Sequence, residues 1–189
     1  MSEFLTINTE DNVIRERRVD PLPLYDDTHF MLKQVMPEFS GPLPNPLMAN
    51  LVERLKVTMK LYGGLGLAAN QCGVSERVFV IGTDQFQIAC INPKIVASSP
   101  AAAKENEGCL TFPGLYCKIE RPDWVEVEFT TPDGELKQMK LDGATARCFQ
   151  HELDHLNGIR FVDKIGPVAL QTAKRKQQKL IKTITRMKK

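Results

Sequence analysis

Residues 142–158, DGATARCFQHELDHLNG, place the tightest constraint on the fold. They carry two of the chain's three histidines, His151 and His155, four positions apart, with Glu152 directly after the first. In a helix, positions i and i+4 stand one turn apart on a single face, so both rings can aim a nitrogen at one ion. Glu152 then sits about 100° round the helix, near enough to hold a water at such an ion without ligating it. The spacing predicts a helix from about Asp142 to a stop at Gly158. Incidental histidines on a surface helix would need no further partner. A catalytic metal site needs a third protein ligand and an open position.

Downstream, that ligand is missing. Where one protease pattern extends to H-E-x-x-H-x-x-G-x-x-H, Gly158 matches, but the last histidine's position is Phe161. The only acid after His155 is Asp163, so the third ligand must lie upstream. His29, in a Pro-flanked, acid-rich segment, reads as a surface residue. Cysteine is the better donor, and there are five. Cys148 lies three residues before His151 on the same face, but from 148 to 155 the helix rises ~10.5 Å, too far for all three side chains to close on one ion. Cys148 therefore reads as helix packing, and Cys72, Cys90 and Cys117 as semi-buried thiols in or beside strands. Cys109 stands out in ENEGCLTFPG, where Gly108 lets the backbone approach closely. Spacing favours Cys109 without deciding the matter.

Around this helix the pattern reads as α+β. Asn45 can cap a helix with Pro46 in its first turn, Leu47, Leu51, Leu55 and Met59 on one face, and Gly63 as its stop. RVFVIG and QIACINP read as buried strands. WVEVEFTTPDGELKQMKL reads as a hairpin turning at Pro132-Asp133-Gly134. Helix, strands and helix in that order predict an antiparallel sheet. Residues 20–46 read as irregular. An odd set of cysteines without paired spacing argues against a disulfide framework and for a reducing, cytoplasmic setting. The polar start MSEFLTINTEDN suggests no secretory signal, and no apolar run approaches the ~20 residues of a membrane helix. Residues 167–189 hold eight Lys or Arg and no acid, leaving 17 basic against 23 acidic residues elsewhere. A mildly acidic body carries a basic tail.

Three segments together resemble the peptide deformylase family: GLGLAANQ (64–71), EGCLT (107–111) and QHELDHLNG (150–158). INPKI, FPGLYCKIERP and RFVDKI are similar to it as well, so the likeness spans roughly residues 20–165. The resemblance implies antiparallel sheets packed around a central helix that carries the HExxH motif, with a C-terminal helix. It implies a catalytic domain over 1–165 and a basic helical tail over 166–189; the sequence leaves oligomeric state open, with a monomer as the default reading. The implied reaction is hydrolysis of the formyl group from the formyl-methionine of new polypeptides, releasing formate. Cys109, His151 and His155 would be metal ligands and Glu152 the acid/base. The Gln71 amide and the Leu110 backbone N–H would hold the oxyanion. Gly64, Leu65, Gly66, Arg147 and Cys148 would contact substrate, Leu65 and Cys148 forming the apolar wall of the methionine pocket. The implied metal is Fe(II), a donor set of one thiolate and two imidazoles also suiting Zn, Ni or Co. A cytoplasmic location follows, an organelle being compatible if the chain is a processed form.

Two positions depart from the family's pattern. Thr111 replaces a serine and keeps the hydroxyl, so little should change. Arg147 stands where an apolar residue of the methionine pocket is expected, beside Cys148. It could turn its charge to solvent and offer only its stem, or alter substrate preference. In the tail, Leu170, Ala173, Gln177, Leu180, Ile184 and Met187 form a modest apolar seam. Lys174, Arg175, Lys176, Lys179 and Lys182 lie between them. The plain reading is a solvated helix lightly docked on the body. The sharper one is contact with ribosomal RNA, since basic side chains gain affinity by releasing counterions from phosphate. Some deformylases carry a similar helix that docks at the ribosome, which this resemblance extends to the tail. On that reading, truncation at 167 abolishes salt-sensitive ribosome binding and spares short formyl-peptides.

Overall fold

The computed structural model describes residues 19–187. The polar start at 1–12 and the last two lysines of the tail lie outside the described residues.

α1 spans Pro46–Leu61, and Asn45 caps it by accepting hydrogen bonds from the Leu47 and Met48 N–H groups. Tyr62 ends it and Gly63 takes a left-handed φ of 69°, as its predicted stop requires. The buried face is turned by about one residue from the expected stripe. Met48, Val52, Leu55, Thr58 and Met59 face inward, while Leu47 is 81% exposed. Leu47 lies in the first turn on the solvent side, next to the buried Met48, so its apolarity does not report the core face.

Five antiparallel strands form the main sheet in the order β1(Gly66–Ala68), β2(Val78–Gly82), β3(Gln87–Ser98), β6(Trp124–Thr130), β7(Leu136–Asp142). The β6–β7 hairpin turns at Thr131–Glu135, where the Thr131 N–H donates to the Glu135 carbonyl at 2.9 Å. The run VFVI is continuous because both faces of β2 are covered. Val78 and Val80 pack with Val52, Leu55 and Met59 of α1. Phe79 and Ile81 pack against the opposite helix, α2(Gly143–Leu156), through Ala146, Phe149, Leu153 and Leu156. Phe79 and Phe149 meet edge to face with centroids 5.0 Å apart. Burying an aromatic ring of this kind contributes on the order of 2–3 kcal/mol.

The remaining strands, β4(Ala102–Cys109) and β5(Phe112–Pro122), form a separate hairpin. Its inner face, Phe112, Leu115, Cys117 and Ile119, packs on Phe161 and Val162. α3(Pro167–Met187) lies along β5, adding Leu170 and Ala173 to this cluster, and none of its residues is buried. α2 is thereby enclosed between the sheet and the hairpin, the expected α+β arrangement around a central helix. Among the described residues, no helix is long and apolar enough to cross a membrane.

Candidate metal centre

The tip of the β4–β5 hairpin meets the middle of α2. Cys109 ends β4 and pairs across the turn with Phe112, so Leu110 and Thr111 form a two-residue tip. Cys109 Sγ lies 3.2 Å from His155 Nε2. The donor atoms of Cys109, His151 and His155 all lie within 4.8 Å of one another, forming the one group of this kind among the described residues. Cys148 takes no part: its Sγ lies 3.2 Å from the Leu65 carbonyl. His29 is stacked on Tyr25, centroids 4.1 Å apart, away from the group.

The His151 ring is held from behind, and His155 is held through the backbone of its helix. Glu107 Oε2 sits 3.1 Å from His151 Nδ1, which leaves Nε2 to face Cys109. Glu107 is itself buried and accepts from Arg121 Nε at 2.6 Å, Arg121 Nη2 at 2.9 Å and Arg147 Nη1 at 2.7 Å. Arg121 also donates to Asp154 at 2.8 Å. The C-terminal end of α2, which carries His155, is tied down by its carbonyls. Asn70 Nδ2 donates to the His155 carbonyl at 2.6 Å, and Arg77 Nη1 to that of Leu156 at 3.3 Å. His155 Nδ1 and Glu152 Oε2 are buried with no hydrogen-bond partner in the protein.

The charges around the group favour a cation. Burial opposes a proton on His151, but hydrogen bonds with Cys109 and Glu107, and the Glu152 carboxylate, raise its pKa to about 10. Any positive ion at that locus gains from the same neighbours. Burial pushes His155 well below its ordinary value, so that ring is neutral and free to ligate. Burial resists ionisation of Glu107, yet His151 and Arg121 outweigh it and bring that carboxyl down to about 2. Burial pushes Glu152 up to about 7, with His151 and Arg121 pulling the other way. One thiol sulfur, two imidazole nitrogens and an adjacent unpartnered carboxylate oxygen fit a divalent transition metal.

On the other side of the group, Gln71 Oε1 accepts from the Ala68 N–H at 2.9 Å. That turns its amide nitrogen toward Thr111 Oγ1 at 3.0 Å and Cys109 Sγ at 3.5 Å. The Thr111 hydroxyl is thus in use. Gly66 leaves no space for a side chain: a Cβ there would run into Glu152 Oε1 and lie 2.7 Å from Cys148 Sγ.

A cleft of about 680 Å3 opens over these residues. Gly64, Leu65, Gly66, Gln71, Cys109, Leu110, Arg147, Cys148, His151 and Glu152 all line it; the tail lysines do not. Arg147 departs from the idea that its charge turns to solvent. Its guanidinium is bound to Glu107, to the carbonyls of Ile119 at 3.0 Å and Ala103 at 2.8 Å, and to Glu105 at 3.2 Å. A buried acid at Glu107 is what draws it in, so the stem is what faces the cleft. Glu107, Arg121 and Asn70 have no place in the sequence-derived site. The available signal was the acid two residues before Cys109 together with an unexplained arginine four residues before His151.

The polypeptide deformylase family model matches residues 21–171. A peptide deformylase of Thermotoga maritima is 39% identical over 135 residues, covering 71% of this chain and 82% of its own. One from a Synechococcus strain is 40% identical over 127 residues, covering 65% and 63%. Among solved structures, a Synechococcus elongatus peptide deformylase in complex with actinonin superposes with TM-score 0.78 at 34% identity, covering 84% of this chain and 88% of that one. The T. maritima structure gives 0.74 at 35%, covering 78% and 99%. The chain belongs to the peptide deformylase family, metal-dependent hydrolases that remove the N-formyl group from nascent peptides.

Proposed function

We propose that this cleft deformylates chains beginning with formyl-methionine, with Cys109, His151 and His155 as metal ligands and Glu152 as the proton carrier. The observation that carries the assignment is the convergence of the Cys109, His151 and His155 donor atoms with the buried, unpartnered Glu152 carboxylate oxygen beside them, a carboxyl that burial pushes up to about 7. Such a carboxyl can both take and return a proton near neutral pH. A divalent ion bound there supplies Lewis acidity at the formyl oxygen and lowers the pKa of water. Glu152 accepts the proton of the attacking water and passes it to the departing amine. The Gln71 amide, aimed toward Cys109, and the Leu110 N–H donate to the oxygen on which negative charge develops. Leu65, Cys148 and the stem of Arg147 form an apolar wall suited to a methionine side chain, and Gly64 and Gly66 keep the near side open.

The thiolate and imidazole donors support Fe(II) as the physiological metal, with Zn, Ni and Co as substitutes. We place the protein in a reducing cytoplasm, where a thiolate ligand survives oxidation, and read it as a monomer with a catalytic unit over 1–165 and a tail over 166–189. The decisive experiment measures formate release from a formyl-Met peptide, with metal content, for the native chain, Glu152→Ala and Cys109→Ala. Loss of activity in both, with metal lost only from Cys109→Ala, is expected. Full activity in Cys109→Ala would overturn the ligand set, and no formate from the metal-loaded native chain would overturn the reaction.

Ribosome contact is the proposed role of α3. Arg175, Lys179, Lys182 and Arg186 recur at helical spacing on the side away from Leu170 and Ala173, with Lys174 and Lys176 flanking them. A free basic ridge on a docked helix suits RNA phosphates. Arg175→Glu with Lys179→Glu should abolish salt-sensitive ribosome co-sedimentation; undiminished binding would refute the role.

A further inference from the structure

The register of the β4–β5 hairpin breaks where the site needs it. Gly108 pairs with Tyr116, but the next residue, Cys109, pairs with Phe112. Pro113, Gly114 and Leu115 therefore have no facing residue on β4. Bulges of this kind bend a strand and re-aim its end. Here the re-aimed end is the tip that carries Cys109, Leu110 and Thr111.

Something must hold the extra residues, because they lack ladder partners on β4 and Gly114 sits at a left-handed φ of 73°. α3 supplies it. Gln177 Nε2 donates to the Pro113 carbonyl at 2.8 Å. Leu180 Cδ2 and Gln177 Cγ lie 3.7 and 3.8 Å from the place a Gly114 Cβ would occupy, ordinary packing distance. Leu170 and Ala173, further back on the same face, cover the cluster of Phe112 and Leu115, the two side chains that anchor either end of the bulge.

We propose that α3 is a clamp on this bulge, with Gln177 and Leu180 as positioning residues for the hairpin tip and for the cleft wall at Pro113–Gly114. The helix then has two working faces. Its outer ridge carries charge, and its inner face sets where a metal ligand and an oxyanion donor stand. Only the kinetic arm of the test rests on the deformylase reading. A truncation at 167 would also remove the clamp, so it should raise KM for short peptides rather than leave their hydrolysis unchanged.

The test uses the full metal-loaded chain and three variants. Gln177→Leu keeps bulk and removes the donor, Gln177→Lys keeps a donor with sufficient reach, and Leu180→Ala removes the packing. Amide hydrogen exchange is followed over residues 109–116, with α2 as an internal reference, alongside the rate of metal loss to a chelator. In Gln177→Leu, exchange and metal loss should both accelerate roughly three- to tenfold, the equilibrium weight of one ordinary hydrogen bond. KM for a formyl-Met tripeptide should rise by a similar factor with kcat nearly unchanged, and Gln177→Lys should restore all three values. A merely structural docking role would lower the melting temperature and leave exchange at the tip in step with α2. Unchanged exchange at 109–116 in both Gln177→Leu and Leu180→Ala overturns the clamp, as does a Gln177→Lys chain that behaves like Gln177→Leu. A native chain that releases no formate would sink the deformylase reading, while exchange and metal loss would still decide the clamp.

Discussion

Replacing Glu107 with alanine should separate the cost of an unpaired buried charge from the cost of a misoriented metal ligand. Glu107 is 6% exposed and Arg121 is 3% exposed, joined by contacts of 2.6 and 2.9 Å. Without the carboxylate, Arg121 keeps only Asp154, and Arg147 loses its contact with Glu107. Breaking a buried pair from one side costs about 3–5 kcal/mol, because a desolvated charge is left behind. For a chain of this size each kcal/mol moves the melting temperature by about 2–4 °C, so a drop of roughly 6–20 °C is expected for the metal-free protein. Glu107→Gln keeps the shape and one acceptor, and should cost about 1–3 kcal/mol. Loss of the Glu107 contact also frees the His151 ring to turn, and outer partners of this type are worth about 10–100-fold in metal affinity. Calorimetric melts of the metal-free and Zn-loaded chains separate the two effects, since only the affinity loss shrinks the gain on loading. A metal-free Glu107→Ala chain that melts within 2 °C of the native one would refute the assignment of Glu107 as the centre of a buried charge network.

Gly66→Ala should push the Glu152 carboxylate aside, and a displacement near an ångström costs about 10²-fold in kcat. A near-native kcat would show that Glu152 has more room than the packing implies. Burial raises the thiol pKa of Cys72 to about 12 and that of Cys90 well above the ordinary value. Iodoacetamide should therefore leave both untouched in the folded chain and label Cys109 only after a chelator is added; peptide mass mapping that finds Cys72 modified would contradict this. Arg77→Met removes the donors to the Leu156 carbonyl and to Asn157 Oδ1 at 2.9 Å. A fall of about 3–10 °C in the melting temperature by circular dichroism is expected, and an unchanged melt would mean that the end of α2 does not depend on this tie.

The parts legible in the sequence are those whose signals are local. Asn45, Pro46 and Gly63 delimit α1 because caps and stops act within one turn. His151, Glu152 and His155 share a helix, so their geometry follows from 3.6 residues per turn. β4 carried no such signal. Its burial pattern leaves Glu107 as the one buried side chain among eight residues, so there is no apolar alternation to read. β5 does alternate, through Leu115, Cys117 and Ile119, but the bulge places Phe112 three residues before Leu115 and breaks the period of two. The hairpin that delivers the third ligand was therefore the least visible element. Gly108 favours Cys109 and the family's motifs assign it, while the strand beneath it carries no local signal of its own.

The same reasoning explains why Arg147 looked anomalous. A hydropathy pattern places every charged residue outside, so an arginine in an apolar pocket wall reads as a departure, and nothing in such a pattern marks Glu107 or Arg121. Buried charges obey a different rule: each must find its counter-charge and fill its hydrogen-bonding capacity. Arg147 precedes His151 by one helical turn, so it reaches the same side as the ligand. Glu107 precedes Cys109 by two residues in a strand, so the two side chains share a face. If Cys109 meets His151 at a metal, Glu107 must lie close to Arg147. The observed 2.7 Å contact is then a consequence of the ligand geometry, and the arginine belongs to the scaffold of the site. On the proposed reading, methionine specificity would rest on Leu65, Cys148 and the arginine stem, which line the cleft. Arg147→Met should therefore disturb His151 through Glu107, lowering metal affinity before it alters preference at the pocket. A variant with native metal affinity and a changed side-chain preference would place Arg147 back in the pocket wall.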